Sequence, residues 1–104
     1  MELAIAYIPC ANASSAKYIA KMMIEAKLAV CGNIIPEVIS IFSGDTDVQQ
    51  EMESLLLLKH DKAKFADLIQ AVSEIHPYDT PCITQIEVKD TNKEYLQWCN
   101  MILE

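Results

Sequence analysis

The chain has 104 residues, 2 glycines, 4 cysteines and a formal net charge of −7. That length suits a single domain over residues 1–104, and 8 scattered basic residues against 15 acidic ones exclude nucleic acid and anionic membrane as partners, since both need a basic face. Hydrophobic residues make up 52% of the chain, so part of its apolar surface is expected to be covered by another copy.

The N-terminus carries no positive region, and its apolar run stops at Pro9, too short for a signal peptide or a membrane span. A cytoplasmic location is expected. The run Leu3 to Ile8 reads as a strand buried on both faces and ended by Pro9. Asn12, Ser14 and Ser15 offer capping chemistry to a helix whose Ala16, Ile19, Ala20, Met23 and Lys27 recur at helical intervals. Leu28 to Ile35 reads as a second strand, continued by Val38–Phe42 beyond Pro36. Ser43–Asp47 supplies a turn, and Val48–Lys59 returns as a long strand ending in four leucines.

A second half follows the same order. Asp61 is placed to cap a helix with the apolar stripe Phe65, Leu68, Ile69, Val72 and Ile75. Pro77 and Pro81 then bracket a stiff corner that forces His76 and Thr80 out of helical geometry and presents one imidazole. Ile83–Val88 reads as the last strand, and Asn92–Leu103 as a short helix with Tyr95, Trp98, Cys99 and Ile102 inward. The expected fold is α+β: a ferredoxin-like βαββαβ antiparallel sheet with its two crossover helices on one face, a long hairpin between the second and third strands, and a short C-terminal helix. The bare sheet face and the hairpin favour self-association.

Five pieces occur in an ordered series: Leu28–Pro36, Ser40–Phe42, Glu53–Lys59, His76–Tyr78 with Pro81, and Tyr95–Trp98. In these the chain resembles the CutA family of divalent-cation tolerance proteins, from Leu3 to about Trp98. The resemblance implies a tight homotrimer with sheets facing inward and ligand clefts between neighbouring subunits. It also implies an association with tolerance to copper and other divalent metals. Carried over residue by residue, it nominates Cys31, Glu53, Lys59, His76 and Tyr78 as cleft residues. The chain departs from the family pattern at Pro9, Phe42, Gly44, His60 and Cys82, each of which changes a polar or aromatic group.

Several expectations about chemistry follow from spacing. Glu53 and Lys59, six residues apart on one strand, should share a sheet face. The 4 cysteines show no zinc-finger spacing and are expected to be reduced thiols. With the first and fourth strands antiparallel neighbours, Cys10 and Cys82 should approach each other beside His76, a soft-metal site suited to copper or zinc. Asp45 and Asp47 lack the spacing of a calcium loop. The favoured reading is a non-catalytic trimer that binds a metal ion or small molecule. The alternatives are a regulatory trimer binding a metabolite and a thiol enzyme using Cys82 or Cys31 with His76 as base.

Overall fold

Alternating side chains organise the sheet of this protein, which we describe from a computed structural model of all 104 residues. Strand β1 (Leu3–Cys10) leads to helix α1 (Ala13–Glu25). Strands β2 (Cys31–Ser43) and β3 (Val48–Asp61) form a hairpin, and a 3-10 turn at Lys62–Lys64 opens helix α2 (Phe65–Ile75). Strand β4 (Thr84–Glu87) and helix α3 (Lys93–Leu103) complete the chain. The sheet order is β2-β3-β1-β4 and every pairing is antiparallel, the expected ferredoxin-like arrangement.

One sheet face presents Ala4, Ala6, Ile8 and Cys10 of β1 and Ser54, Leu56, Leu58 and His60 of β3, all buried. Ala16, Ile19, Ala20 and Met23 of α1 and Leu68 and Val72 of α2 close over it as a single core. Small residues set the distance of approach. A Cβ on Gly32 would lie 3.0 Å from the Ala20 Cβ and 3.2 Å from Leu58 Cδ2, so a larger residue would have to push α1 or Leu58 away from β2 by a few tenths of an ångström. Burying Leu56 and Leu58 completely contributes about 2–3 kcal/mol each.

Local signals set the element ends. Asn12 Oδ1 accepts from the Ser15 N–H at 2.8 Å and starts α1. Helix α1 stops before Lys27, which the sequence placed inside it. Lys27 instead takes φ 59°, with Lys27 N–H donating to Ile24 O and Leu28 N–H to Met23 O. These are the paired bonds of a Schellman C-cap, with lysine where glycine is usual. Asp61 caps as expected, accepting from the Ala63 N–H at 3.0 Å, though it caps the 3-10 turn ahead of α2. Pro36 does not divide two strands. The chain absorbs it as a bulge between Ile35 and Val38, with Glu37 at φ 57°.

Beyond that bulge the hairpin outruns the sheet, because the last β1–β3 pair is Cys10 with Ser54. The domain is accordingly elongated, 47 × 26 × 22 Å. Ile39 faces Met52 across the ribbon, and Ile41 and Val48 share their side of it; all four are exposed. A two-stranded ribbon is marginal alone in water, and this one leaves apolar side chains uncovered.

Helix α3 packs against the opposite sheet face at one end, where Leu3, Val30 and Cys99 form a small second core with Cys31, Tyr95, Leu96 and Leu103 around it. The inward stripe differs from the expected one. Trp98 and Ile102 are exposed, because the helix meets only one sheet corner and a single narrow stripe suffices.

His60 is fully buried among the core side chains. Its ring stacks on Phe65 at 5.6 Å, Nδ1 donates to the Asp61 carbonyl at 2.9 Å, and Nε2 has no partner. Burial lowers its pKa below the ordinary 6.5, outweighing the favourable Asp61 carbonyl. Because the unfolded chain takes up the proton first, this stability is fully present above pH 6.5 and is lost as the pH falls from there through the lower folded-state value. Urea midpoints measured from pH 8 to pH 5 should fall across that range in the parent, and His60→Leu should flatten the slope. Equal slopes in the two proteins would contradict this assignment.

Candidate functional site

The sheet face opposite α1 and α2 carries two clusters of chemistry. Since β3 runs without a bulge from Ser54 to Asp61, its odd-numbered side chains share this face, and Glu53 and Lys59 do lie on it together. Six residues of strand separate them by about 20 Å, however. The five nominated cleft residues therefore divide into Glu53, His76 and Tyr78 at one end and Cys31 with Lys59 at the other.

At the first end, α2 finishes at Ile75 and His76 leaves it in extended geometry, φ −73° and ψ 135°, as Pro77 requires. The His76 ring bridges two backbone segments. Its Nδ1 accepts from the Tyr78 N–H at 3.1 Å, so the proton sits on Nε2, which donates to the Pro9 carbonyl at 2.9 Å. Strand β4 pairs with β1 only as far as Tyr7, so the imidazole supplies the Pro9 carbonyl with the partner that β4 does not. His76 is thus a buried brace, neither a helix-end cation nor an open ligand.

The brace positions Tyr78. The two rings lie 4.7 Å apart, and the Tyr78 hydroxyl donates to Glu53 Oε2 at 2.6 Å. Burial and the Glu53 charge both raise the phenol's pKa well above its ordinary range, so it stays a donor. Tyr78 and Glu53 border an open groove of about 570 Å³ whose apolar walls include Tyr7, Ile39, Ile41 and Phe42. Such a groove suits a small molecule with an apolar body and a donor or cationic group directed at Glu53.

The expected Cys10, Cys82 and His76 metal site is not assembled. Cys10 lies in the core on the helix side, its thiol donating to the Ile8 carbonyl at 3.4 Å. Burial and the Glu53 charge push its pKa up to about 11, which disfavours a thiolate. Cys82 is exposed on the groove side, beside Thr84 Oγ1 at 3.4 Å. The two sulfurs occupy opposite faces because adjacent register positions alternate, and one step reverses a side chain. No three His, Cys, Asp or Glu side chains of one chain converge to hold a metal ion. The thiol-enzyme alternative also loses its base, since both His76 nitrogens are engaged by backbone groups.

At the second end, Cys31 faces Lys59 across the β2–β3 ladder. Above them Tyr95 of α3 receives the Lys59 ammonium 5.0 Å from its ring centroid. Burial pushes the Tyr95 phenol up to about 12, and the Cys31 and Cys99 thiols against it act in the same direction. Burial also raises Cys99, against the pull of Tyr95 and Lys59. The sequence places Tyr95 and Cys99 only among the inward residues of the C-terminal helix. Their spacing of four residues, which puts both on one helix face, was the available signal.

Removing the brace should cost stability. His76→Ala leaves the Pro9 carbonyl and Tyr78 N–H without their partners, and unfolding free energy should drop by about 1–3 kcal/mol in denaturant melts. An unchanged melt would mean that the ring bonds carry no weight.

Comparison with known proteins agrees with this architecture. Residues 4–101 match the model of the CutA1 divalent ion tolerance protein family. The chain is 34% identical over 102 residues to a Xenopus laevis CutA homolog, covering 98% of this chain and 68% of that protein. It is 39% identical over 83 residues to the divalent-cation tolerance protein CutA of Thermus thermophilus, covering 80% of this chain and 81% of the relative. It spans only 58% of the length of the mouse and human relatives. The structure described as the periplasmic divalent cation tolerance protein CutA of Archaeoglobus fulgidus superposes with a TM-score of 0.94 at 33% identity, covering 98% of this chain and 99% of that one. No helix here is long and apolar enough to cross a membrane. With nearly its whole length matched in sequence and in fold, the chain belongs to the CutA1 divalent ion tolerance family.

Proposed function

We propose that the protein works as a homotrimer in which the open sheet faces turn inward and the Glu53–Tyr78 groove becomes a ligand cleft between neighbouring subunits. The single observation that carries this reading is the unpartnered apolar surface left by one chain: Ile39, Ile41, Val48 and Met52 on one side of the projecting hairpin, and Tyr7, Ile35 and Ile86 on the open sheet face. Covering that surface offsets the cost of exposing it, and a neighbouring chain is the cover always available. The family relationship supports a role in tolerance of copper and other divalent metals.

Within one chain the groove favours a small organic ligand over a bare ion. Its walls are mostly apolar, and one carboxylate with one phenol supplies few donors for a metal. The reading places the protein in the cytoplasm, where its four free thiols stay reduced. It is a binding protein in this account, with regulation by a bound metabolite as the closest alternative.

Light scattering at micromolar concentration should give the mass of three chains. Ile41→Asp, which puts a charge into the ribbon's apolar side, should yield smaller species or aggregate. A parent protein that stays monomeric, or a variant that keeps the parent's mass, would overturn the proposed assembly.

A further inference from the structure

Glu53 is a half-buried carboxylate without a positive partner. Its side-chain hydrogen bond comes from the Tyr78 hydroxyl to Oε2, and the ion pairs of the chain are those of Lys62 with Glu2 and Glu87. Taking a charge partly out of water is costly unless a counter-charge and donors replace the solvent, and one phenol replaces only part of it. Oε1 is left open to a ligand.

The surroundings do not compensate that charge. The groove of about 570 Å³ beside the pair, and the adjoining depression of about 470 Å³ that shares Phe42, Glu53, Tyr78 and Thr80 with it, are bordered by none of the 8 basic residues and neither of the 2 histidines. Glu51, two residues along β3 and therefore on the same side of the strand, borders the second depression and adds to the negative field. Because the Tyr78 hydroxyl already donates to Glu53, the pair offers a ligand acceptors only. The aromatic walls act in the same direction, since the faces of rings such as Tyr7, Phe42 and Tyr78 attract cations.

We propose, on the reading of this groove as a ligand cleft, that its ligand is an organic monocation, a protonated amine whose ammonium donates to Glu53 Oε1 while an apolar body lies along Tyr7, Ile39 and Ile41. The ammonium completes the hydrogen bonding of the carboxylate and cancels its charge, and a charge-assisted bond in a partly dry groove is stronger than a neutral one. Charge therefore decides which molecules of suitable size enter. A second charge on the body would have to be desolvated against Ile39 and Ile41, so a monocation is favoured over a diamine.

The probe is phenethylammonium, titrated calorimetrically into the parent protein at neutral pH, with phenethyl alcohol as its uncharged counterpart and hydrocinnamate as the anion. Phenethylammonium should bind at least about tenfold more tightly than the alcohol, and hydrocinnamate should not bind. Putrescine, with two charges and no apolar body, should bind at least about tenfold more weakly than phenethylammonium. Glu53→Gln keeps an oxygen for the Tyr78 hydroxyl and removes the charge. It should lower the affinity for phenethylammonium at least about tenfold and leave that for the alcohol within about twofold, with an unchanged circular dichroism spectrum. Cys82 borders the same groove and is the exposed one among the four thiols, so its alkylation, followed by mass spectrometry, reports occupancy. Saturating phenethylammonium should slow that alkylation. Equal affinity for amine and alcohol, tighter binding of putrescine, an unaltered titration in Glu53→Gln, binding that leaves Cys82 unprotected, or no binding by the parent overturns the proposal. Protection of Cys82 by the alcohol or the anion in place of the amine overturns the charge class and leaves the ligand cleft standing, while the light-scattering mass decides the trimer independently of these titrations.

Discussion

Strand β3 makes every side chain from Ser54 to Asp61 choose a face, and both faces it serves are apolar. Leu56 and Leu58 enter the core under α1 and α2, while Leu55 and Leu57 pack toward Pro9 and Tyr7 on the other side. Two crossover helices cover only one of those faces. Much of the rest of the molecule answers the problem of the second face: α3 shields one end, the hairpin extends past the other, and the apolar middle stays exposed in a lone chain. An antiparallel sheet with one wet face would ordinarily be polar there, and the middle of this one is not.

The same strand also explains why the chemistry lies in two places. Glu53 and Lys59 point the same way but are held apart by the rise of the strand, each meeting a different element. Glu53 meets the corner that follows α2, where the His76 ring joins the end of β1 to Tyr78. Lys59 meets α3 through Tyr95. Prolines set the direction of the first meeting, and helical spacing sets the second.

Histidine serves the fold in both of its occurrences. His76 is fully satisfied by backbone partners and converts a strand end without a neighbour into a closed turn. His60 is the opposite case, with one nitrogen paired and the other unpaired in the core, which makes it a source of pH sensitivity. Both residues show that a lone imidazole in a sequence carries meaning only through the groups its two nitrogens reach.

Much of the fold was legible from pattern alone. The apolar periods of α1 and α2, the alternation along β3, the Asn12 and Asp61 caps and the two-proline corner are local, and the physics that produces them acts over a few residues. Glu53 and Lys59 sharing a face followed from the same period of two. What sequence did not decide were matters of one register step or one helical turn: Cys10 and Cys82 on opposite faces, Trp98 turned outward while Cys99 turned in, and Pro36 absorbed by a bulge within a single strand. The ring bonds of His76 and the meeting of Cys31 with Tyr95 and Cys99 join residues far apart in the chain. Only tertiary packing decides such contacts, because they depend on how elements are placed against one another and no local preference specifies that placement.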